Sequence, residues 1–113
     1  MRLMAYDEDL ADRVRQLVAL DDDLVEQRMF GGLAFLVHGN MAVAASGGGG
    51  LLVRVDPDGA RAWMADERVT PMVMRGREMR GWLRVLGDLD GRDLAVWVSR
   101  GLTYARSLPP KGT

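Results

Sequence analysis

The segment from Arg28 to Val55, RMFGGLAFLVHGNMAVAASGGGGLLVRV, holds three apolar runs in close succession, parted only by glycine-bearing links. The runs Leu33–Val37, Met41–Ala45 and Leu51–Val55 are too short for ordinary helices and, bounded by Gly, Asn and Ser, read as strands. His38-Gly39-Asn40 has the composition of a tight hairpin turn, and Ser46–Gly50 that of a looser one. The first two runs are apolar at every position, whereas a strand with one wet face alternates. Part of the second sheet face is therefore expected to be covered, either by a helix or by a second copy of the chain, and a homodimer is the expectation; the plainer alternative is that the small Ala34, Ala42, Ala44 and Ala45 stand exposed at little cost. The pair Gly31-Gly32 precedes a strand. A phosphate-binding glycine loop instead opens a helix, so that free amides face the anion. Glycine inside a strand pattern marks a bulge or a close backbone approach. The pair is read here as a bulge bending one long strand, Arg28–Val37.

Around this centre the other elements fall into place. Asp7 reads as an N-cap, with Glu8 and Asp9 in the first helical turn and Leu10, Val14, Leu17 and Val18 at helical spacing to about Leu20. Asp21-Asp22-Asp23 breaks that pattern as an acidic connector. Adjacent carboxylates point in different directions, which suits a solvated loop better than a cation site. Asp56-Pro57 predicts a helix start, with Ala60, Trp63 and Met64 turned inward. Pro71–Met74 and Met79–Leu86 read as strands joined by a turn at Arg75–Glu78. A last helix from about Asp88–Asp90 carries Leu94, Trp97, Val98, Gly101, Leu102 and Ala105 on one face, and Pro109-Pro110 ends it. The order helix, three strands, helix, two strands, helix predicts an α+β fold, an antiparallel five-stranded sheet with helices on one face.

A chain of 113 residues that is 48% hydrophobic and 27% charged fits one folded domain. The longest apolar runs are too short to span a bilayer. Met1–Met4 leads into Asp7-Glu8-Asp9 rather than an apolar stretch, so no secretory signal is expected. Cysteine is absent. That removes disulfides and thiolate chemistry and fits a cytoplasmic location. The net charge of −1 is unevenly spread: residues 1–26 carry eight acids and three arginines, residues 27–84 eight arginines and five acids. A basic nucleic-acid binder normally carries a larger excess.

Reactive constellations are not legible. His38 is the only histidine and sits on a predicted turn. Ser46 lies in the glycine loop and Ser99 and Ser107 on the last helix, while Asp56 and Asp58 suit capping. No catalytic, cofactor-binding or metal-binding residue is assigned, and the chain is expected not to be an enzyme. One basic cluster stands out: Arg75, Arg77, Arg80, Trp82 and Arg84. On a regular strand Arg80, Trp82 and Arg84 share a face. Arginines flanking an aromatic could stack bases or grip phosphates. They equally suit the solvated outer face of a sheet, with Trp82 partly covered by the arginine stems. Of the two binding readings a protein partner is the favoured one, since Trp and Arg are enriched at interface centres. A third reading, a small-ligand pocket lined by Met29, Met72, Met74 and Met79, competes with plain core packing by methionine.

The ordered set Arg28-Met29-Phe30-Gly31-Gly32, Gly39-Asn40 and Leu51-Leu52-Val53-Arg54-Val55-Asp56 resembles the signature of the TfoX/Sxy N-terminal domain. Met72, Arg80-Gly81-Trp82, Trp97, Ala105-Arg106-Ser107 and Leu108-Pro109-Pro110-Lys111 extend the likeness over about residues 4–111. Met4-Ala5-Tyr6 is similar to the usual start of such proteins, so Met1–Leu3 reads as an upstream extension. The resemblance implies a two-layer, secretion-chaperone-like fold whose members are often dimers. It brings no catalytic residues. Two-domain members regulate natural competence by assisting a transcription activator, and in them a C-terminal helical domain follows. This chain is expected to be the first domain alone. The function expected is thus a cytoplasmic interaction and regulatory domain with an unidentified protein partner, the transcription machinery being the class implied. The alternative is a nucleic-acid-binding accessory using the Arg75–Arg84 strand face.

Overall fold

The computed structural model describes residues 6–29 and 31–111. Helix α1 (Glu8–Leu17) starts where the Asp7 side chain accepts a hydrogen bond from the Leu10 amide at 3.1 Å, satisfying one of the free amides of a helix N-terminus. It turns Leu10, Ala11 and Val14 inward. Six strands follow, β1 (Leu24–Met29), β2 (Gly32–Val37), β3 (Asn40–Ala45), β4 (Leu51–Arg54), β5 (Val69–Met74) and β6 (Arg77–Val85), with a one-turn helix α2 (Ala60–Trp63) between β4 and β5. Helix α3 (Gly91–Ser107) closes the chain, capped by Asp90, whose carboxylate accepts from the Asp93 amide at 2.8 Å. All six strands form one antiparallel sheet in the order β1-β2-β3-β4-β6-β5. The α+β, two-layer expectation holds, but with six strands rather than five.

The sixth strand comes from the diglycine. Arg28–Val37 is not one bent strand: β1 and β2 fold back on each other in unbroken register from Leu24↔Val37 to Met29↔Gly32. Only two residues separate Met29 from Gly32, and Phe30 of this pair lies outside the described residues. Gly31 takes φ +77°, a conformation that glycine adopts without strain and that tight hairpin turns require. Gly32 answers a different need, because a Cβ there would run into the Ala45 carbonyl and come within 3.0 Å of the Gly47 amide nitrogen. The bulge expected at this pair lies instead in β3. Phe35 pairs with Val43 and Leu36 with Met41, which leaves Ala42 as the extra residue. Ala42 and Val43 both join the helix-side core, and α3 crosses them at Gly101, where a Cβ would lie 2.5 Å from the Ala42 carbonyl oxygen.

The helices cover one sheet face. Phe35, Val37, Val43, Leu51, Val53, Leu83 and Val85 from the strands meet Val14 of α1 and Leu94, Trp97 and Val98 of α3 in the main core. Trp63 of α2 and Trp97 meet edge to face at 5.9 Å, and the Arg100 guanidinium lies 4.7 and 4.5 Å from the two ring centres. The second face explains why β2 and β3 do not alternate. Ala34, Leu36, Met41, Ala44 and Leu52 form a separate buried cluster, against which Met29, Met72 and Trp82 pack. Among the described residues that cluster is built from strands, with long side chains of the flanking strands packed against the small ones of the centre.

Two sequence signals act differently from expectation. The Asp56 carboxylate accepts from the Asp58 amide at 2.9 Å and shapes a turn; α2 begins only after Gly59. The acidic connector is held by α3, with Arg106 donating at 2.9 Å to both Asp23 carboxylate oxygens and to Asp21. Arg68 likewise ties Asp66 (2.8 Å) to Asp93 of α3 (3.0 Å).

These ion pairs set an acid limit. Hydrogen bonds from Arg68, from its side chain first and its amide next, hold the Asp66 carboxyl at about 2, against 3.8 for a free aspartate. The Arg106 side chain lowers Asp23 in the same direction. A folded-state value below the unfolded one contributes stability that is complete above the unfolded pKa and lost as pH falls through the folded one. The urea midpoint is expected to drop between about pH 4 and pH 2, and Asp66→Asn to flatten that drop. A midpoint unchanged down to pH 2 contradicts these pairings.

Candidate interaction surface

The basic cluster expected on one strand face is divided by the shape of β6. Against β5 the register jumps from Pro71↔Leu83 to Val73↔Glu78, which places the extra residues on the β6 side. Gly81 sits in this stretch at φ +81°, and its carbonyl accepts from the Val55 amide at 2.8 Å. The alternation of buried Gly81, Leu83 and Val85 with half-buried Trp82 and Arg84 holds beyond that point. Before it, Arg80 differs from them in burial: its side chain is 79% exposed and lies 3.7 Å from the exposed Asp58 carboxylate. Arg75 and Gly76 form the tip of the β5–β6 hairpin, with φ +54° and +77°, and Arg77 opens β6.

Trp82 and Arg84 stay on the second sheet face, each with a local partner. Arg84 donates through Nη1 to the Gly49 carbonyl at 3.2 Å, fastening the glycine loop. Within that loop the Ser46 amide bonds the Gly50 carbonyl and the Gly49 amide the Ser46 carbonyl, both at 3.0 Å. The cation over Trp82 is neither Arg80 nor Arg84 but Arg54, its cross-strand neighbour on β4, 5.0 Å from the ring centre and 5.8 Å from that of Tyr104. A guanidinium within about 6 Å of a ring centre is attracted to the ring's face. The alternation of β4 shows Arg54 opposite Val53 and Val55. What it does not show is that β4 pairs with β6, past β5 in sequence.

Beside Trp82 a groove of about 310 Å³ runs between α2 and β6, floored by Ala60, Met64, Pro71 and Met79 and rimmed by Arg61, Glu78 and Arg80. The four methionines considered as a ligand pocket are not brought together. Met29 and Met72 line a cleft of about 90 Å³ on the second face, Met79 lines the groove, and Met74 lines neither. Among the described residues no group of three or more His, Cys, Asp or Glu could hold a metal ion, and no helix is long and apolar enough to cross a membrane.

The remaining signature residues have structural work. His38 and Gly39, at φ +50° and +86°, make the two-residue turn between β2 and β3, the positive-φ pattern favoured in hairpins. The segment after α3 straps this turn: buried Asn40 donates through Nδ2 to the Pro109 carbonyl at 2.9 Å, and the Lys111 amide bonds the His38 carbonyl at 2.8 Å. Arg28 and Met29 lie in edge strand β1. Gly39-Asn40 and Leu108–Lys111, far apart in sequence, are thus two halves of one clasp.

The family model of the TfoX N-terminal domain matches residues 15–105. The chain belongs to this family, whose matched span runs from α1 through all six strands to α3. Searches among curated proteins and among solved structures give no match.

Proposed function

We propose that the chain is a non-enzymatic regulatory domain of the cytoplasm that works by protein contact, as a homodimer, in the manner of the competence regulators its family suggests. The observation that carries this reading is Trp82. It stands half-buried against the cluster of the second sheet face, with the Arg54 guanidinium 5.0 Å from its ring centre, and also lines the charged-rimmed groove between α2 and β6. A large aromatic beside arginines is the composition that dominates interface energetics. The partner class proposed is a component of the transcription machinery. The test is a pull-down from the native cytoplasm with the wild-type chain and with a Trp82→Ala, Arg80→Ala variant. Transcription components are expected with the wild type and lost with the variant; identical recoveries with both place the contact on another face.

A second reading rests on the exposed arginines of the β5–β6 hairpin, Arg75, Arg77 and Arg80. It requires salt-dependent binding of DNA or RNA. Gel shifts at low salt decide it, since the absence of any shift there ends the nucleic-acid reading.

A further inference from the structure

The sheet has two edges, and they differ in kind. Edge strand β5 carries Pro71, which has no amide to donate, and its partner β6 is bulged beside it. Both features discourage strand addition. Edge strand β1 has no proline and keeps perfect register with β2 over six residues. A two-residue turn closes on a hydrogen-bonded pair, here Met29 and Gly32, and such pairs alternate along an antiparallel ladder. Gln27 and Val25 therefore also bond to β2, while Leu24, Glu26 and Arg28 present amides and carbonyls outward. Val25 is 63% exposed on the second sheet face. Glu26 and Arg28 lie on the helix face, where Arg15 of α1 donates to Glu26 at 2.8 and 2.9 Å.

We infer that β1 is the dimer interface, pairing antiparallel with β1 of a second copy about a two-fold axis at Gln27, so that two six-stranded sheets become one. The occupant and the register both follow from charge. Only registers that oppose outward-facing residues allow hydrogen bonding. The one centred on Gln27 sets Glu26 against Arg28 of the second copy and Arg28 against its Glu26. Sliding two residues in one sense opposes Glu26 to Glu26; sliding in the other opposes Arg28 to Arg28. Opposite charges directly across a ladder stabilise it and like charges destabilise it. In the chosen register Val25 also meets Met29 of the second copy on the second face, on either side of the Gln27 pair at the axis.

This inference rests on the dimeric reading proposed above, and the test separates the two. Molar mass by light scattering is measured for the wild type, for Glu26→Arg, for Arg28→Glu and for an equimolar mixture of the variants. The wild type is expected to be a dimer. Each variant opposes like charges twice when paired with itself, and its self-association is expected to weaken about ten- to a hundredfold. The mixture opposes unlike charges at both positions and is expected to recover the dimer. A Gln27→Cys chain, otherwise free of cysteine, is expected to form a disulfide-linked dimer on oxidation, since non-hydrogen-bonded pairs bring Cα atoms to about 4.5 Å. A wild-type dimer that survives both charge changes places the interface elsewhere and overturns this inference while leaving the dimer. Variants that stay monomeric when mixed, or cross-linking through Glu26→Cys in place of Gln27→Cys, overturn the register. A wild type that is monomeric throughout the micromolar range overturns both readings.

Discussion

Truncating Trp97 to alanine is expected to lower the folding free energy by about 3–5 kcal/mol, the usual range for a buried tryptophan. Its side chain is 3% exposed, sits where α3 meets the sheet, and presents the ring that Trp63 meets edge to face and Arg100 overlies. The alanine leaves a cavity, removes the aromatic pair and strips Arg100 of one of its two rings. A domain of this size has about 5–15 kcal/mol of stability in total, so the variant is expected near the limit of folding. Val96 is the internal control: it is the adjacent residue, 41% exposed, and Val96→Ala is expected to change stability by no more than about 0.5 kcal/mol. Urea unfolding of the three proteins decides it. Comparable losses for the two variants would mean that α3 does not present this face to the sheet.

Replacing Gly81 by alanine is the second large effect. The residue needs φ +81°, and a Cβ there lies 2.7 Å from the Val55 carbonyl oxygen and 3.0 Å from Pro57 Cγ. The left-handed conformation costs a non-glycine residue about 1–2 kcal/mol, and relieving the contact with fixed backbone adds about 1–3 kcal/mol. Gly76, at φ +77° on the hairpin tip with nothing within 4 Å of a Cβ, isolates the first of these. Gly76→Ala is therefore expected to cost about 1–2 kcal/mol and Gly81→Ala about 2–5 kcal/mol. Unfolding midpoints in urea measure the difference, and equal losses would remove the close approach from the account.

Much of this fold was legible from local chemistry. Asp7 caps α1 as its position suggests, α3 starts at the end of the Asp88–Asp90 stretch, the face of α3 is buried residue for residue, and His38-Gly39-Asn40 turns the chain between β2 and β3. Strand β1 was not separable from β2, because its side chains are half-buried at the ends and exposed between. An edge strand wet on both faces shows no alternation to mark where it stops. The pair Gly31-Gly32 fits a bulge and a turn equally well until the pairing is known. The surface was less legible than the fold, since its contacts join distant residues. Arg54 reaches Trp82 through the β4–β6 pairing, Arg84 fastens a loop 35 residues away, and Arg106 closes on Asp23 across 83 positions. An arginine's partner depends on strand order, which spacing along the chain does not encode.

The open edge at β1, and with it the route to self-pairing, depends on the diglycine reversing the chain. Nuclear Overhauser contacts between the α-protons of Arg28 and Leu33, and of Glu26 and Phe35, test that most directly. Both pairs face each other in the β1–β2 register, at non-hydrogen-bonded positions where opposed Cα atoms approach to about 4.5 Å. Strong contacts for both pairs are the result this fold predicts. Their absence, together with sequential contacts only from Arg28 to Val37, would mean one continuous strand and would contradict it.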